Sequence, residues 1–259
     1  MEEVNCVNAN LLWSIYKVVK HLFFEQYKSK RIKKIESIFG RNWFAGKSIL
    51  DVGTAHGDMG IHFLKRGSLV LFSDVREEHL QDVRNTLAPM SIVPDTIKLD
   101  TNHYYDLKRR FDLILHLGVL QNVPNWKQDL ECAMSHTNNM ILDCMVVPQE
   151  GYESHTSVSD DKFVNKPEFP YAGVHAEMPS FTQEAVEKHL TSIGCKYLRL
   201  DDEELNTDWA LTRKGDNIMH GDLYTRIVYD WVYGQDYVVH GSDTIRYNLC
   251  FQRMWLVLK

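Results

Sequence analysis

From Ser48 to Val147, short unbroken apolar runs alternate with segments of helical period, and this alternation limits the chain to few architectures. The predicted strands are 48–52, 69–73, 96–99, 111–117 and 140–147, and the predicted helices between them are 59–66, 77–87 and 126–136. In 77–87, Leu80, Val83 and Leu87 fall on one helical face. Strands that lack polar alternation have no side left for water, so they belong in a parallel sheet covered on both faces. A helix at 182–193, closed by Gly194, leads to a strand at 196–200, and a last strand is expected at 254–258. Upstream, Leu12, Ile15, Tyr16, Val19, Leu22 and Phe23 recur at helical spacing within 9–38, and Gly40 and Gly46 follow. The chain therefore reads as an N-terminal helical cap, 1–45, on an α/β domain, 46–259, with insertions at 148–180 and 203–250. The first insertion holds Pro148, Pro167, Pro170 and Pro179 and little periodicity, and a loop of that length is usually functional or disordered.

Charge and cysteine content narrow the function. The formal net charge of -6 argues against the broad basic surface of a nucleic-acid binder. The one basic run, Lys28, Lys30, Arg31, Lys33 and Lys34, reads as a solvated helix face, with a small phosphate-contacting patch as the sharper alternative. Cysteines at 6, 132, 144, 195 and 250 show no C-x-x-C spacing and read as free thiols in a reducing, cytoplasmic compartment. No zinc-binding pattern is visible, and no metal is expected. The stretch 11–24 is interrupted by Lys17, Lys20 and His21, so it does not read as a membrane span, and Met1-Glu2-Glu3 lacks the positive start of a signal peptide.

The sharpest local signal is Asp51-Val52-Gly53-Thr54-Ala55-His56-Gly57-Asp58, between a predicted strand and a predicted helix. Ligands of open α/β sheets bind at the carboxyl ends of the strands, and glycine lets the backbone turn sharply beside them. The dinucleotide pattern G-x-G-x-x-G fails here, because Ala55 and Asp58 stand where its second and third glycines belong. A carboxylate at Asp58 would also repel a pyrophosphate, whereas Asp51 and Asp58 suit a cationic ligand. Asp74 closes the second predicted strand 23 residues after Asp51, near the offset of an acid that accepts ribose hydroxyls. Taken alone, Asp74 would equally serve as the N-cap of the next helix.

On these residues the chain resembles the class I S-adenosylmethionine-dependent methyltransferases, over about 48–202 and the last strand. Asp51–Gly57 matches the first motif, an acidic residue followed by G-x-G-x-G, with Ala55 at the middle glycine. Asp74, with Val75 beside it, matches the ribose acid, and Leu99-Asp100-Thr101 matches the segment that touches adenine. Residues 111–123 are similar to the fourth-strand motif, with Asn122 where many relatives carry His. The resemblance implies a Rossmann-like, seven-stranded, mostly parallel sheet whose last strand, 253–258, runs antiparallel. It implies S-adenosylmethionine as cofactor, held by Asp51, Gly53, Thr54, Ala55, Gly57, Asp58, Asp74, Val75, Asp100, Thr101, His116, Leu117 and Gly118. It also puts Gln121 near the acceptor and the acceptor-binding elements at 9–40, 148–180 and 203–250.

Methyl transfer from a sulfonium is an in-line displacement, so alignment and water exclusion matter more than any one side chain. A base is needed only when the acceptor arrives protonated. His175 is the first candidate, because histidine titrates near neutrality; Tyr152 and Gln121 complete the catalytic expectation. The aromatic stretch 224–251 suits either a substrate pocket or lid packing. The expected reaction transfers a methyl group to O, N or C of a small or medium-sized acceptor. An RNA or tRNA nucleoside methyltransferase and a non-catalytic cofactor-binding scaffold are the alternatives, and a dehydrogenase is disfavoured by Ala55 and Asp58.

Overall fold

The computed structural model describes residues 28–146, 181–200, 212–214, 217–219 and 251–259. A helix α1 spans 28–39 and is followed by a 3-10 turn, Arg41–Phe44. The strands are β1 Ser48–Val52, β2 Leu69–Asp74, β3 Asp95–Lys98, β4 Leu113–Leu117, β5 Asn139–Val146, β6 Lys196–Arg199, β7 Thr212–Lys214, β8 Asn217–Met219 and β9 Phe251–Leu258. The remaining helices are α2 Asp58–Lys65, α3 Glu77–Leu87, α4 Trp126–Ser135 and α5 Gln183–Ser192. Seven strands form one sheet in the order β3-β2-β1-β4-β5-β9-β6, and β7 pairs with β8 alone.

All described pairings from β3 through to β5 are parallel, while β9 runs antiparallel between β5 and β6. This is the Rossmann-like sheet with a reversed strand that the sequence implied. Strand residues alternate between two cores. Ile49, Phe72, Leu113, Leu115 and Ile141 meet Ile35, Phe44, Ile61, Phe63, Leu80 and Val83 from α1, the 3-10 turn, α2 and α3. Leu50, Val52, Ile114, Leu142 and Trp255 meet Leu130, Ala133, Val186 and Leu190 from α4 and α5. Both faces of β1 and β4 are therefore dry, which is why these strands read as unbroken apolar runs.

Local signals fix several boundaries. Thr182 caps α5, its hydroxyl accepting from Ala185 N at 3.0 Å, and Gly194 follows at φ +80. Asp112 anchors the start of β1, accepting from Ser48 N and Ser48 Oγ, each at 2.9 Å, and from Lys47 Nζ at 3.0 Å. The ladder of β4 with β1 consequently begins at Leu113, and Phe111 makes a separate bridge to Thr137. At the far side of the sheet, Glu187 accepts from Trp255 Nε1 at 2.9 Å and from Arg199 Nε at 2.6 Å, tying α5 to β9 and β6.

The basic run does not form one solvated face. Arg31 is buried, its Nε donating to Asp143 on β5 at 2.6 Å, and Lys28 Nζ lies 2.8 Å from Asp58. Arg31 shares its helical face with Ile35 one turn on, and Ile35 is fully buried. Among the described residues no helix is long and apolar enough to cross a membrane.

Candidate cofactor site

The strand order reverses at β1, with β2 and β3 on one side and β4 and β5 on the other, so a crevice opens at the carboxyl ends of β1 and β4. Of the sequence-predicted residues, Asp51, the 53–57 turn and Asp74 lie together there. Thr54 N donates to Ser73 O and Gly57 N to Thr54 O, each at 2.8 Å, folding 53–57 into a tight turn. Gly53, Ala55 and Gly57 have φ of 60, 47 and 82, so alternate residues adopt the left-handed conformation. A Cβ at Gly53 would run into Val119 Cγ2, and one at Gly57 would sit 2.7 Å from Val83 Cγ2. Ala55 adopts this conformation although its Cβ disfavours it, which accounts for the glycine usual at that position in the motif.

Asp51 acts from beneath the turn. Its Oδ2 accepts from Thr54 Oγ1 at 2.6 Å and from Gly60 N at 3.1 Å, so one carboxylate joins β1, the turn and the first turn of α2. Burial pushes the carboxyl up to about 6; the bonds from Thr54 and Gly60 oppose this, and the charges of Asp74 and Asp58 add to it. Gly60, absent from the sequence expectation, makes this approach feasible. A Cβ there would lie 2.5 Å from Phe72 Cε1 and 2.7 Å from Asp51 Oδ2. Asp58, by contrast, is more than half exposed at the start of α2, where a carboxylate favours the helix N-terminus.

Asp74 ends β2 with its carboxylate turned toward the 53–57 turn. Oδ2 accepts from Ala55 N at 3.0 Å and Oδ1 from Arg76 N at 2.9 Å. Burial raises the Asp74 carboxyl, but His79 and the N–H groups of Arg76 and Ala55 outweigh it and hold the group below the usual range. The N-cap of α3 is Arg76, so Asp74 is not the cap of that helix. Val75, half-buried, follows. After β3, Asp100 Oδ1 accepts from Asn102 N at 3.0 Å, and Thr101 is buried beside it. Asn125 clasps this loop, its N donating to Asn102 Oδ1 and its Nδ2 to Asn102 O, both at 3.0 Å.

At the end of β4 the three expected residues separate. The His116 ring is fully buried on the α4 face, with Nε2 2.8 Å from Asp129 Oδ2, and Tyr105 donates to Asp129 Oδ1 at 3.2 Å. Leu117 lies on the opposite face of the strand, and Gly118 turns the chain at φ +71 with its N donating to Asp143 O at 2.7 Å. Gln121 Nε2 donates to Gly118 O at 2.8 Å, and Asn122 Nδ2 donates to the same oxygen at 3.2 Å. The Gln121 amide thus buttresses the end of β4; an amide has no basic site with which to take a proton. His175 and Tyr152, like the aromatic stretch 224–250, lie outside the described residues. Among the described residues no group of three or more His, Cys, Asp or Glu side chains is arranged to hold a metal ion.

No protein-family model matches the chain, and no curated protein matches it in sequence. Solved structures do match in fold. The N-terminal domain of EvdMO1, solved with SAH bound, superposes with a TM-score of 0.57 at 15% identity, over 90% of this chain and 80% of that one. Magnesium protoporphyrin IX methyltransferase (ChlM) from Synechocystis PCC 6803, with SAM bound, gives 0.54 at 11% identity, over 100% and 86%. YcgJ from Bacillus subtilis gives 0.59 at 11% identity, over 91% and 98%. The chain therefore has the class I S-adenosylmethionine-dependent methyltransferase fold.

Proposed function

We propose that the protein is an S-adenosylmethionine-dependent methyltransferase acting on O, N or C of a small or medium-sized acceptor. The observation that carries this reading is the arrangement at the switch point. A turn of three left-handed residues is joined to the Asp74 carboxylate through Ala55 N, with Asp58 at the head of α2. Dinucleotide binding needs the α2 N-terminus for a pyrophosphate, and Asp58 places negative charge there. A cofactor whose adenosine is neutral and whose far end is cationic fits the same groups. That two structures of this fold were solved with SAH or SAM bound supports the choice.

The residues then divide the work. Asp74 would accept the ribose hydroxyls, Asp100 and Thr101 would flank the adenine, and Leu117, Gly118 and the turn would enclose the methionine part. Bound there, S-adenosylmethionine would supply an activated methyl group to a lone pair of the acceptor, with S-adenosylhomocysteine as the leaving group. The acceptor's proton, where it has one, would pass to a base, for which His175 and Tyr152 are the candidates. Lys28 and Arg31 face carboxylates of this chain, which removes two cations from the patch an RNA acceptor would need. Free, buried Cys132, Cys144 and Cys195 fit a reducing compartment such as the cytoplasm.

The test is calorimetric titration with S-adenosylhomocysteine, with NAD as the control. Micromolar binding of the first and none of the second supports the reading and opens an acceptor screen. Binding of NAD alone would overturn it.

A further inference from the structure

The ribose acid is not held by backbone alone. His79, in the first turn of α3, is almost wholly buried and sets Nδ1 3.0 Å from Asp74 Oδ2, the oxygen that also accepts from Ala55 N. The contact is bent away from the line of a good hydrogen bond, and His79 Nδ1 has no other partner. Three groups from three places therefore surround one carboxylate: Ala55 of the turn, Arg76 of the β2–α3 connection, and His79 of α3. His79 also meets the ring of His56 edge-on at 5.6 Å between centroids, and His56 Nδ1 lies 2.9 Å from Asp82 Oδ2 on the next turn of α3. The turn is thus tied to α3 directly at His56 and, through Asp74, at Ala55.

We infer that His79 is a positioning residue for adenosine binding: it fixes the plane of the Asp74 carboxylate so that both ribose hydroxyls meet it in register. This rests on the cofactor reading above. A carboxylate held at both oxygens by main-chain N–H groups can still pivot about the line joining them. A third contact from a rigid, packed ring stops the pivot. Holding an acceptor within a fraction of an ångström of its working geometry depends on such supporting groups. The polar contact His79 makes at the crevice is with Asp74, so its effect falls on the diol and not on the methyl-bearing end. Asp82 and His56 lie on the outer side of this ring; Asp74 and, behind it, Asp51 lie on the inner side.

The test measures adenosine and 2′,3′-dideoxyadenosine affinity, together with S-adenosylhomocysteine affinity, in the wild type, His79→Leu, His79→Gln, Asp74→Asn and the His79→Leu/Asp74→Asn double variant. His79→Leu should weaken adenosine and S-adenosylhomocysteine by roughly three- to tenfold, the loss of one buried polar contact, and leave the dideoxy compound unchanged. His79→Gln, which keeps a donor, should recover most of the loss. In the double variant the His79 change should add nothing to the Asp74 change. Equal losses for the diol and dideoxy ligands, or full additivity with Asp74→Asn, would overturn the inference, since a merely structural role predicts both. A wild type that binds neither adenosine nor S-adenosylhomocysteine would instead overturn the cofactor reading on which it stands.

Discussion

Replacing Gly60 by alanine sets two effects of opposite sign against each other. Within a helix, alanine is favoured over glycine by roughly 0.5–1 kcal/mol, so propensity predicts that Gly60→Ala stabilises the protein. The structure predicts the reverse. The new Cβ would lie 2.5 and 3.0 Å from Phe72 Cε1 and Cδ1 and 2.7 Å from Asp51 Oδ2. Phe72 is fully buried on β2, between β1 and β3, and Asp51 Oδ2 already accepts two hydrogen bonds, so neither can step aside cheaply. Overpacking of this kind costs about 1–3 kcal/mol, and displacing the Asp51 carboxylate adds part of a buried hydrogen bond. The net expectation is a loss of about 1–3 kcal/mol. Urea unfolding would show it as a lower midpoint at unchanged slope. The Phe72→Leu background removes the ring contacts and leaves the Asp51 contact, so there Gly60→Ala should cost less. A single variant at least as stable as the wild type would refute the close approach of α2 to β1 and β2.

Three further outcomes are expected. The Asp51 carboxyl is pushed up to about 6 in the folded protein from its ordinary 3.8, so between these values the folded state keeps a proton that the unfolded chain releases. Stability should therefore fall as pH rises through that window, by up to roughly 3 kcal/mol, and Asp51→Asn should flatten this part of the pH profile of unfolding. Ala55→Gly relieves about 1–2 kcal/mol of left-handed strain at a cost of roughly 0.5–1 kcal/mol in chain entropy, and a thermal midpoint no higher than wild type would contradict the assigned turn. Arg31→Met should cost about 3–5 kcal/mol by breaking the buried ion pair of Arg31 with Asp143, read as a lower midpoint in chemical denaturation.

The central strands were legible because β1, β2, β4 and β5 are apolar runs buried on both faces. That same property hid the orientation of single side chains. In a sheet covered on both sides the pattern cannot say which face a residue takes: His116, which the resemblance put beside the methionine part of the cofactor, has its ring against Asp129 on α4. The length of β9 was hidden for a related reason. Phe251, Gln252 and Arg253 carry no strand signal as a group, yet they pair with Val146, Met145 and Cys144 because β5 extends that far. In the site, the turn and Asp74 were visible as spacing. Gly60 and His79 were not, because a helical glycine and a helical histidine have many uses and only proximity to Asp51 and Asp74 selects one. Arg31 had a faint signal, its i, i+4 relation to Ile35, which the surrounding lysines obscured.

The place of β9 has a consequence for synthesis. Strands β5 and β6 are made first, and neither pairs with the other; β9 joins them only after more than fifty further residues have been polymerised. Until then β5 presents a free edge on a nearly complete sheet, and β6 has no strand beside it. An open apolar edge of that kind is the usual template for intermolecular pairing. A nascent chain of this protein is thus most exposed to aggregation in the interval between Arg199 and Phe251, and slowing translation there should lower soluble yield more than slowing it anywhere upstream.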